Sequence, residues 1–318
     1  MKLDYEEYVV DIVEQSSREL GNKLDVSTIR WIDRPSGKSQ VNDASLAFYV
    51  DGIRRSDDAV LLISNPNYGH TVSSDIECAR EVTMRVDHEV GKHISRPMHE
   101  GTFGNQSYAF FSRLSPLSNK KIIRVLQKRA AIKRVAPWLA HLAEQTRQKN
   151  YEPTDYGRLF VEPLVAITQD KDISENVKDF TNDIIKRIET EEPDFFTVVQ
   201  HGDFWVGNVL FNRRILEGVN PFLGDFSIID WRGMRIDGYP FMDLVRFCLS
   251  LYQVDSPQNA ILLHKYREHL CVPKGDESVY IMLALGRLGA ELDQFPKERY
   301  CAMCDTVFGF LQNHAVRK

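Results

Sequence analysis

The chain has 318 residues, 43% hydrophobic and 27% charged, as in an ordinary globular protein of one large or two modest domains. A net charge of −5 offers nucleic acid no general electrostatic attraction, so no nucleic-acid partner is expected. No apolar run is long enough to span a bilayer, so no membrane insertion is expected. Five cysteines make no disulfide framework, which suits the cytoplasm. The expected oligomeric state is monomer or homodimer.

The first third of the chain is predicted to form helices and a small antiparallel sheet. Short runs rich in β-branched and aromatic residues, separated by turn residues, are typical of strands. Apolar residues at helical spacing predict two helices, the second with Ser73 or Ser74 as its N-cap. The strands are predicted at residues 28–32, 46–50, 59–64 and 108–114, and the helices at residues 3–20 and 73–90.

After residue 118 the pattern is mostly helical, apart from short strands and polar loops between Phe195 and Trp231. We therefore predict an α+β fold in two lobes, a sheet lobe over residues 1–114 and a helical lobe over residues 115–318. The helices of the second lobe are predicted near residues 120–147, 172–189, 241–254, 258–270, 278–292 and 297–314.

The most informative motif is His201-Gly202-Asp203, with Asn208 five residues after the aspartate and Asp230 at the end of a later apolar run. Gly202 permits a sharp turn at a strand end, so Asp203 could meet a hydroxyl group and accept its proton. Asn208 and Asp230 offer the amide and carboxylate oxygens that suit Mg²⁺. This combination predicts phosphoryl transfer.

The motif and its continuation, Gly238-Tyr239-Pro240-Phe241-Met242-Asp243, resemble the core of the aminoglycoside phosphotransferase and choline kinase-like small-molecule kinases, which share the protein-kinase-like fold. The resemblance is strong over residues 196–250 and looser over residues 28–114. It implies a catalytic set of Asp203, the base, and His201, its support. It also implies Mg²⁺ on Asn208 and Asp230, and hydrogen bonds from the loop backbone to Asp243, although a helix N-terminal carboxylate is an equal reading of Asp243.

The same resemblance implies that the first lobe binds ATP or GTP as co-substrate. The nucleotide base would lie near the end of the last predicted strand, and the phosphates near the loop that joins the first two strands. The residues expected to contact the nucleotide are Phe111, Ser112, Leu114, Gly37 and Ser39.

One family feature is not visible in the sequence. The third strand should carry a lysine for the nucleotide phosphates, yet Leu62 stands at the expected position. Glu77 and Glu81 lie on the helix that would supply the lysine's glutamate partner, and without that lysine they are interpreted as solvated charges. Either the alignment is shifted by a strand, or the phosphate contact is weak, or another cation substitutes. The candidate cations are Lys38, Arg54 and Arg80.

The acceptor is predicted only by class. Phe204, Trp205, Trp231 and Tyr239 surround the motif and either line an acceptor pocket or belong to the core. The leading hypothesis is transfer of the γ-phosphate of ATP or GTP to a hydroxyl of a small molecule such as a sugar, amino alcohol or aminoglycoside. No acidic cluster follows the motif, which favours a sugar or another metabolite over an aminoglycoside. The alternative is a non-catalytic nucleotide-binding pseudokinase or scaffold, favoured by the missing lysine.

Overall fold

The computed structural model describes residues 5–21, 23–33, 44–149, 151–191, 194–212, 225–292 and 295–314. The chain forms two compact units, each assembled from separate stretches of sequence. The first unit comprises Met1–Met84, Gly91–Lys120 and Val209–Arg232. The second comprises Arg85–Val90, Lys121–Asn208 and Gly233–Lys318. The residues that follow Asn208 therefore return to the unit that contains the N-terminus.

In the described residues of the N-terminal part, α-helices alternate with the strands of the sheets. In chain order they are α1 (Tyr5–Glu19), β1 (Arg30–Asp33), β2 (Ser45–Val50), β3 (Ala59–Ser64), α2 (Thr71–Met84), α3 (His88–Gly91), β4 (His99–Phe103), β5 (Gln106–Ser112) and β6 (Leu114–Ser115).

The C-terminal part of the described chain is mostly helical, with four short strands in its middle. In chain order its elements are α4 (Lys121–Gln145), α5 (Pro153–Phe160), α6 (Glu162–Gln169), α7 (Glu175–Glu191), β7 (Val198–Gln200), β8 (Val209–Asn212), β9 (Phe226–Ile228), β10 (Arg235–Gly238), α8 (Met242–Leu251), α9 (Pro257–His269), α10 (Asp276–Ala290) and α11 (Lys297–His314). This architecture confirms the predicted α+β fold, with an antiparallel sheet first and helices after it.

The first unit is built on a five-stranded antiparallel sheet in the order β1-β2-β3-β5-β4. Alternate residues of β2 and β3 are buried, as expected for strands with one face on a core. That face packs against the apolar stripe of α1, and Ile12 belongs to the same core cluster as Phe48 and Phe110. The other face packs against α2.

The start of α2 differs from the prediction. The helix begins at Thr71, so Ser73 and Ser74 lie inside it, and it ends at Met84 rather than at residue 90. The hydroxyl of Ser64 accepts a hydrogen bond from the Val72 amide, and that of Ser107 accepts one from the Ser73 amide. The free amides of the first turn are thus satisfied by hydroxyls of β3 and β5, which a local capping pattern cannot reveal.

A second sheet of the first unit, in the order β6-β8-β9, carries the segment that ends at Asp230. The Ile228 amide donates to the carbonyl of His93, and the His93 ring stacks on Phe226 with centroids 4.0 Å apart. His93 therefore contacts strand β9 in two ways, through a backbone hydrogen bond to Ile228 and through ring stacking on Phe226.

The second unit surrounds a two-stranded sheet of β7 and β10 with helices α4 to α11. Buried aromatic side chains fill its core, among them Phe196, Phe241 and Tyr280. Within the described residues, no helix combines the length and the apolar character needed to span a bilayer.

Candidate functional site

The first candidate region is the loop that leaves β7 in the second unit. Gly202 lies there at φ +82°, a conformation that side-chain-bearing residues rarely adopt. A Cβ atom at this position would lie 2.2 Å from the carbonyl oxygen of Gly233. Glycine is thus required twice, for the backbone angle and for the close approach. The resulting turn leaves the side chain of Asp203 partly exposed.

Asp243, in the first turn of α8, anchors this loop through hydrogen bonds to its backbone. Its Oδ2 accepts the His201 amide at 2.6 Å, and its Oδ1 accepts the Gly202 amide at 3.2 Å. Burial raises the pKa of the Asp243 carboxyl to about 6, although both hydrogen bonds oppose that rise. The same Asp243 thus uses each of its two oxygens for a separate amide of the loop.

His201 is itself completely buried and supports the loop from within. Its Nδ1 lies 3.3 Å from the amide nitrogen of Asp203, and its ring meets the edge of Phe204. A buried imidazole that accepts a backbone N–H orients the loop, and Asp203 is the more exposed of the two side chains.

Asn208 folds back onto the same loop. Its Nδ2 donates to the carbonyl oxygen of Asp203 at 2.9 Å. Because Nδ2 is the donor in this hydrogen bond, the acceptor atom of this buried side chain is the amide oxygen Oδ1. Asn208 and Asp203 thus belong to one small loop, although five residues separate them.

Arg246 makes a further contact that the motif and its spacing do not predict. Its Nη2 forms an ion pair with Oδ1 of Asp203, and its Nη1 donates to the Gly202 carbonyl at 2.5 Å. Because a guanidinium is planar and rigid, these two bonds tie the Asp203 carboxylate to the backbone carbonyl of the preceding residue. The only local signal is that Arg246 follows Asp243 by one helical turn.

The second candidate region, in the first unit, is the segment after β9. Asp230 is exposed and lies at φ +65°, a left-handed conformation that costs a non-glycine residue about 1–3 kcal/mol. The next residues, Trp231–Gly233, form a single 3-10 turn. Strained backbone of this kind is concentrated at functional sites.

Asp75 of α2 accepts the first two amides of that turn on a single oxygen. The distances to Oδ1 are 2.5 Å from the Trp231 amide and 3.1 Å from the Arg232 amide. Burial, reinforced by the nearby charge of Asp230, raises the pKa of Asp75 to about 6. No local sequence pattern links Asp75 to this turn, because 156 residues separate it from Trp231.

Each region, taken by itself, carries one oxygen donor of a type that a hard divalent cation accepts. Asn208 contributes a neutral amide oxygen, and Asp230 a carboxylate whose main chain is held by its neighbours. Oxygen ligands of these two kinds, few in number, are what Mg²⁺ prefers when nucleotide phosphates complete its coordination.

The third strand carries no cation at the position where the family resemblance expects lysine. Leu62 packs against an apolar cluster that contains Val72, Ile76 and Ala109. The other expected participants are engaged or exposed: Arg80 pairs with Glu100 at 2.6 Å, and Glu77 is exposed. Arg54 is exposed before a short 3-10 helix, and Lys38 lies outside the described residues.

The expected nucleotide contacts are only partly described. Phe111 packs against the α2 cluster, while Ser112 is exposed and Leu114 pairs with Asn212 in the second sheet. Gly37 and Ser39 lie outside the described residues. The roles of all five in nucleotide binding stay predictions.

The four aromatic residues of the motif divide into two groups. Phe204, Trp231 and Tyr239 are buried and belong to the packing of their units. Trp205 is 45% exposed, and a Cβ atom on Gly207 would lie 2.3 Å from its ring. Gly207 therefore leaves room for the indole, and Trp205 is the aromatic of this group that a ligand can reach.

Comparison with known proteins supports the resemblance. The model of the ecdysteroid kinase-like family matches residues 102–272, more than half of the chain. No curated protein matches at a significant level.

Solved structures of small-molecule kinases resemble the chain over nearly their full length. A candidate fructosamine-3-kinase from Haemophilus somnus 129PT has TM-score 0.50 and 12% identity, covering 94% of this chain and 96% of its own. The choline kinase LicA from Streptococcus pneumoniae has TM-score 0.48 and 12% identity, covering 95% and 98%. The first of these likenesses shows a shared fold, and the predicted protein-kinase-like fold is confirmed.

Proposed function

Because this chain belongs to the ecdysteroid kinase-like family, we propose that it transfers the γ-phosphate of ATP or GTP to a hydroxyl group of a small molecule. The observation that carries the proposal is the loop of residues 201–208. Asp203 is partly exposed there, and Asn208 is tied to its carbonyl oxygen at 2.9 Å. A carboxylate for the hydroxyl and an amide oxygen for the metal are thus held by one loop.

Asp203 is proposed to receive the acceptor hydroxyl and take its proton as the phosphoryl group arrives. The reaction requires positioning above all, because phosphoryl transfer leaves little covalent chemistry to the protein. Arg246 holds the Asp203 carboxylate, and Asp243 holds the backbone that carries it. Together these positioning residues hold the carboxylate and the backbone of this loop, and His201 supports the loop from its buried side.

Asn208 and Asp230 are the residues proposed to hold Mg²⁺. The cation, when bound, would neutralise charge on the nucleotide phosphates. The contribution of this chain is to present an amide oxygen whose amide nitrogen is already bonded, and a carboxylate on a constrained backbone.

The acceptor is proposed to carry a hydroxyl group beside a broad apolar face. Trp205, exposed and two residues from Asp203, offers an indole surface that such a face could cover. The family takes its name from ecdysteroid kinase, so a polyhydroxylated steroid is the first acceptor to test, followed by sugars and amino alcohols.

The test is ADP release by the purified full chain with Mg-ATP or Mg-GTP across that acceptor panel. We expect one class to stimulate ADP release well above the rate with water alone. Trp205→Ala should raise the KM of that acceptor about tenfold and leave the nucleotide KM unchanged, while Trp205→Phe retains most of the affinity.

Because the third strand lacks the expected lysine, the alternative hypothesis is a pseudokinase that binds nucleotide without catalysis. A thermal shift on addition of Mg-ATP, with no acceptor-stimulated ADP release by any class, would support that rival. Release that Asp203→Asn leaves intact would contradict the proposed role of this loop.

A further inference from the structure

We infer that Asp75 is the positioning residue that holds residues 230–232 in place in this chain. The inference rests on the proposed function only in the role of Asp230 as a metal ligand. Trp231 and Arg232 open a short 3-10 turn, so their amides have no acceptor within it. The Asp75 carboxylate supplies that acceptor from helix α2.

The geometry links this anchor to the conformation of Asp230. Asp230 directly precedes the two anchored amides and lies at φ +65°. Trp231 is buried, and its indole Nε1 donates to the carbonyl of Ile228 at 3.2 Å. Residues on both sides of Asp230 are therefore held, and Asp75 holds the C-terminal side.

This arrangement gives α2 a direct connection to the segment that does not pass through a lysine. The apolar packing of Leu62 against Val72 and Ile76 leaves the middle of β3 uncharged. The carboxylate that matters on α2 is thus Asp75, one helical turn from Val72, rather than the exposed Glu77. Because Asp75 holds the backbone next to Asp230, it would affect metal affinity through the position of the Asp230 carboxylate.

The test combines amide hydrogen exchange with calorimetry of Mg-ADP binding on the full chain. Asp75→Ala should accelerate exchange in peptides that cover residues 226–235 and weaken Mg-ADP binding by about tenfold or more. Asp75→Asn should stay near wild type in both measurements, because one amide oxygen can still accept both N–H groups. Glu77→Gln, on the same helix, is the matched control and should change neither.

Two outcomes would overturn the inference. One is wild-type exchange at residues 226–235 in Asp75→Ala. The other is an Asp75→Asn variant that loses Mg-ADP affinity with unchanged exchange, which would make Asp75 a charged ligand rather than an anchor. If the wild type itself binds no nucleotide, the proposed function fails, and the exchange measurement still decides the role of Asp75.

A separate cluster in the second unit carries an independent proposal. We propose that His141, Glu144 and His269 bind a divalent transition metal such as Zn²⁺ or Ni²⁺. One ligand atom from each residue lies within 4.8 Å of the others. His141 and Glu144 are one turn apart on α4, and His269 is the last residue of α9.

The three side chains already converge on one atom. Oε2 of Glu144 lies 3.3 Å from Nδ1 of His141 and 3.0 Å from Nε2 of His269. The two imidazoles and the carboxylate are the ligand set of many three-residue zinc sites, in which water occupies the fourth position. All three are exposed, so a cation can enter without rearrangement of the core.

The test is calorimetry with ZnCl₂ and NiCl₂ on the full chain stripped of metal. Cys271, an exposed thiol two residues from His269, is replaced by serine throughout so that it cannot compete for the metal. We expect one site, and a loss of about tenfold or more in affinity in His141→Ala and in His269→Ala.

The matched control is His264→Ala, since His264 is exposed on the same helix and contacts Glu268 instead. It should leave the affinity unchanged. Absence of binding in the parent protein, or an equal loss in the His264 variant, would overturn the metal site.

Discussion

Both units hold a candidate functional segment by the same kind of contact, but with different geometry. In each, an aspartate on a helix accepts two consecutive backbone amides from a segment that carries a candidate functional carboxylate. Asp243 anchors the amides of His201 and Gly202 beside Asp203, and Asp75 anchors those of Trp231 and Arg232 after Asp230.

The two anchors differ in the kinds of contact that accompany them. Around Asp203, the glycine turn at Gly202 and the Arg246 ion pair add two further restraints. Around Asp230, the accompanying features are its left-handed backbone and the hydrogen bond from the Trp231 indole to the Ile228 carbonyl. The comparison teaches that one kind of anchor, an aspartate on a helix, serves both a loop whose anchor is near in sequence and a segment whose anchor is 156 residues away.

The largest expected effect comes from the proposed base. Asp203→Asn should lower kcat by about 100- to 10,000-fold, because the isosteric amide cannot accept the hydroxyl proton. ADP release under saturating acceptor measures it, with Mg-ADP calorimetry to verify that nucleotide still binds. Asp225→Asn, an exposed carboxylate near the second region, is the control. A kcat within threefold of wild type would remove Asp203 from the chemistry.

The comparison of anchors is sharpened by replacing each aspartate with asparagine. Asp243 uses both oxygens, so Asp243→Asn sets an NH₂ group against a backbone N–H in a buried site and should cost about 1–3 kcal/mol. Asp75 uses one oxygen, so Asp75→Asn should cost less than about 1 kcal/mol. Urea unfolding of both variants measures the free energy of unfolding. Equal losses would mean that the two anchors do not differ as their bonds indicate.

The glycine turn can be tested against a glycine with a similar angle and open surroundings. Gly202→Ala should cost about 1–3 kcal/mol, since it combines a positive φ with a clash against the Gly233 carbonyl. Gly21→Ala, at φ +78° with no atom within 4 Å, isolates the strain of the angle and should cost about 1 kcal/mol. Thermal and urea unfolding compare the two, and a Gly202 loss no larger than that at Gly21 would argue against the close approach.

Arg246 should matter for rate more than for stability. Arg246→Ala frees the Asp203 carboxylate and should lower kcat by about 10- to 100-fold, with nucleotide KM little changed. Arg246→Lys should recover part of the rate, because an ammonium can pair with the carboxylate but cannot make both bonds in one plane. The control is Arg235→Ala, which breaks a different ion pair of this unit, with Glu291. A kcat unchanged in Arg246→Ala would show that the Arg246–Asp203 ion pair has no part in catalysis.

The smallest effect is expected where the lysine is missing. Leu62→Lys should lose about 1 kcal/mol of stability, because it places an ammonium in an apolar cluster, and it should not tighten Mg-ADP binding. Val60→Lys, on the same face of β3, provides the comparison. A marked gain in nucleotide affinity in the Leu62 variant alone would show that this position still serves the phosphates.

Much of the fold follows from local patterns, and the exceptions have physical causes. The long helices and strands β2, β3 and β5 were predicted because their apolar residues recur at a regular period. Strand β4 was missed, since His99 and Glu100 make it a polar edge strand. Helices α5 and α6 have eight residues each, too few to show a period. Strand β10 has four residues and pairs with β7, which is distant in sequence.

The sequence by itself determined the identity and order of the candidate functional groups. They are Asp203, Asn208 and Asp230, the glycine that turns the loop, and Asp243 after it. These residues lie within about forty positions of one another, so their spacing alone restricts how the loop can fold. Tertiary structure decided which side chains hold them. Arg246 reaches Asp203, and Asp75 reaches a segment 156 residues away. It also decided that Trp205 is exposed while Phe204 is buried. Exposure and long-range pairing depend on which surfaces pack together, and no local pattern encodes that choice.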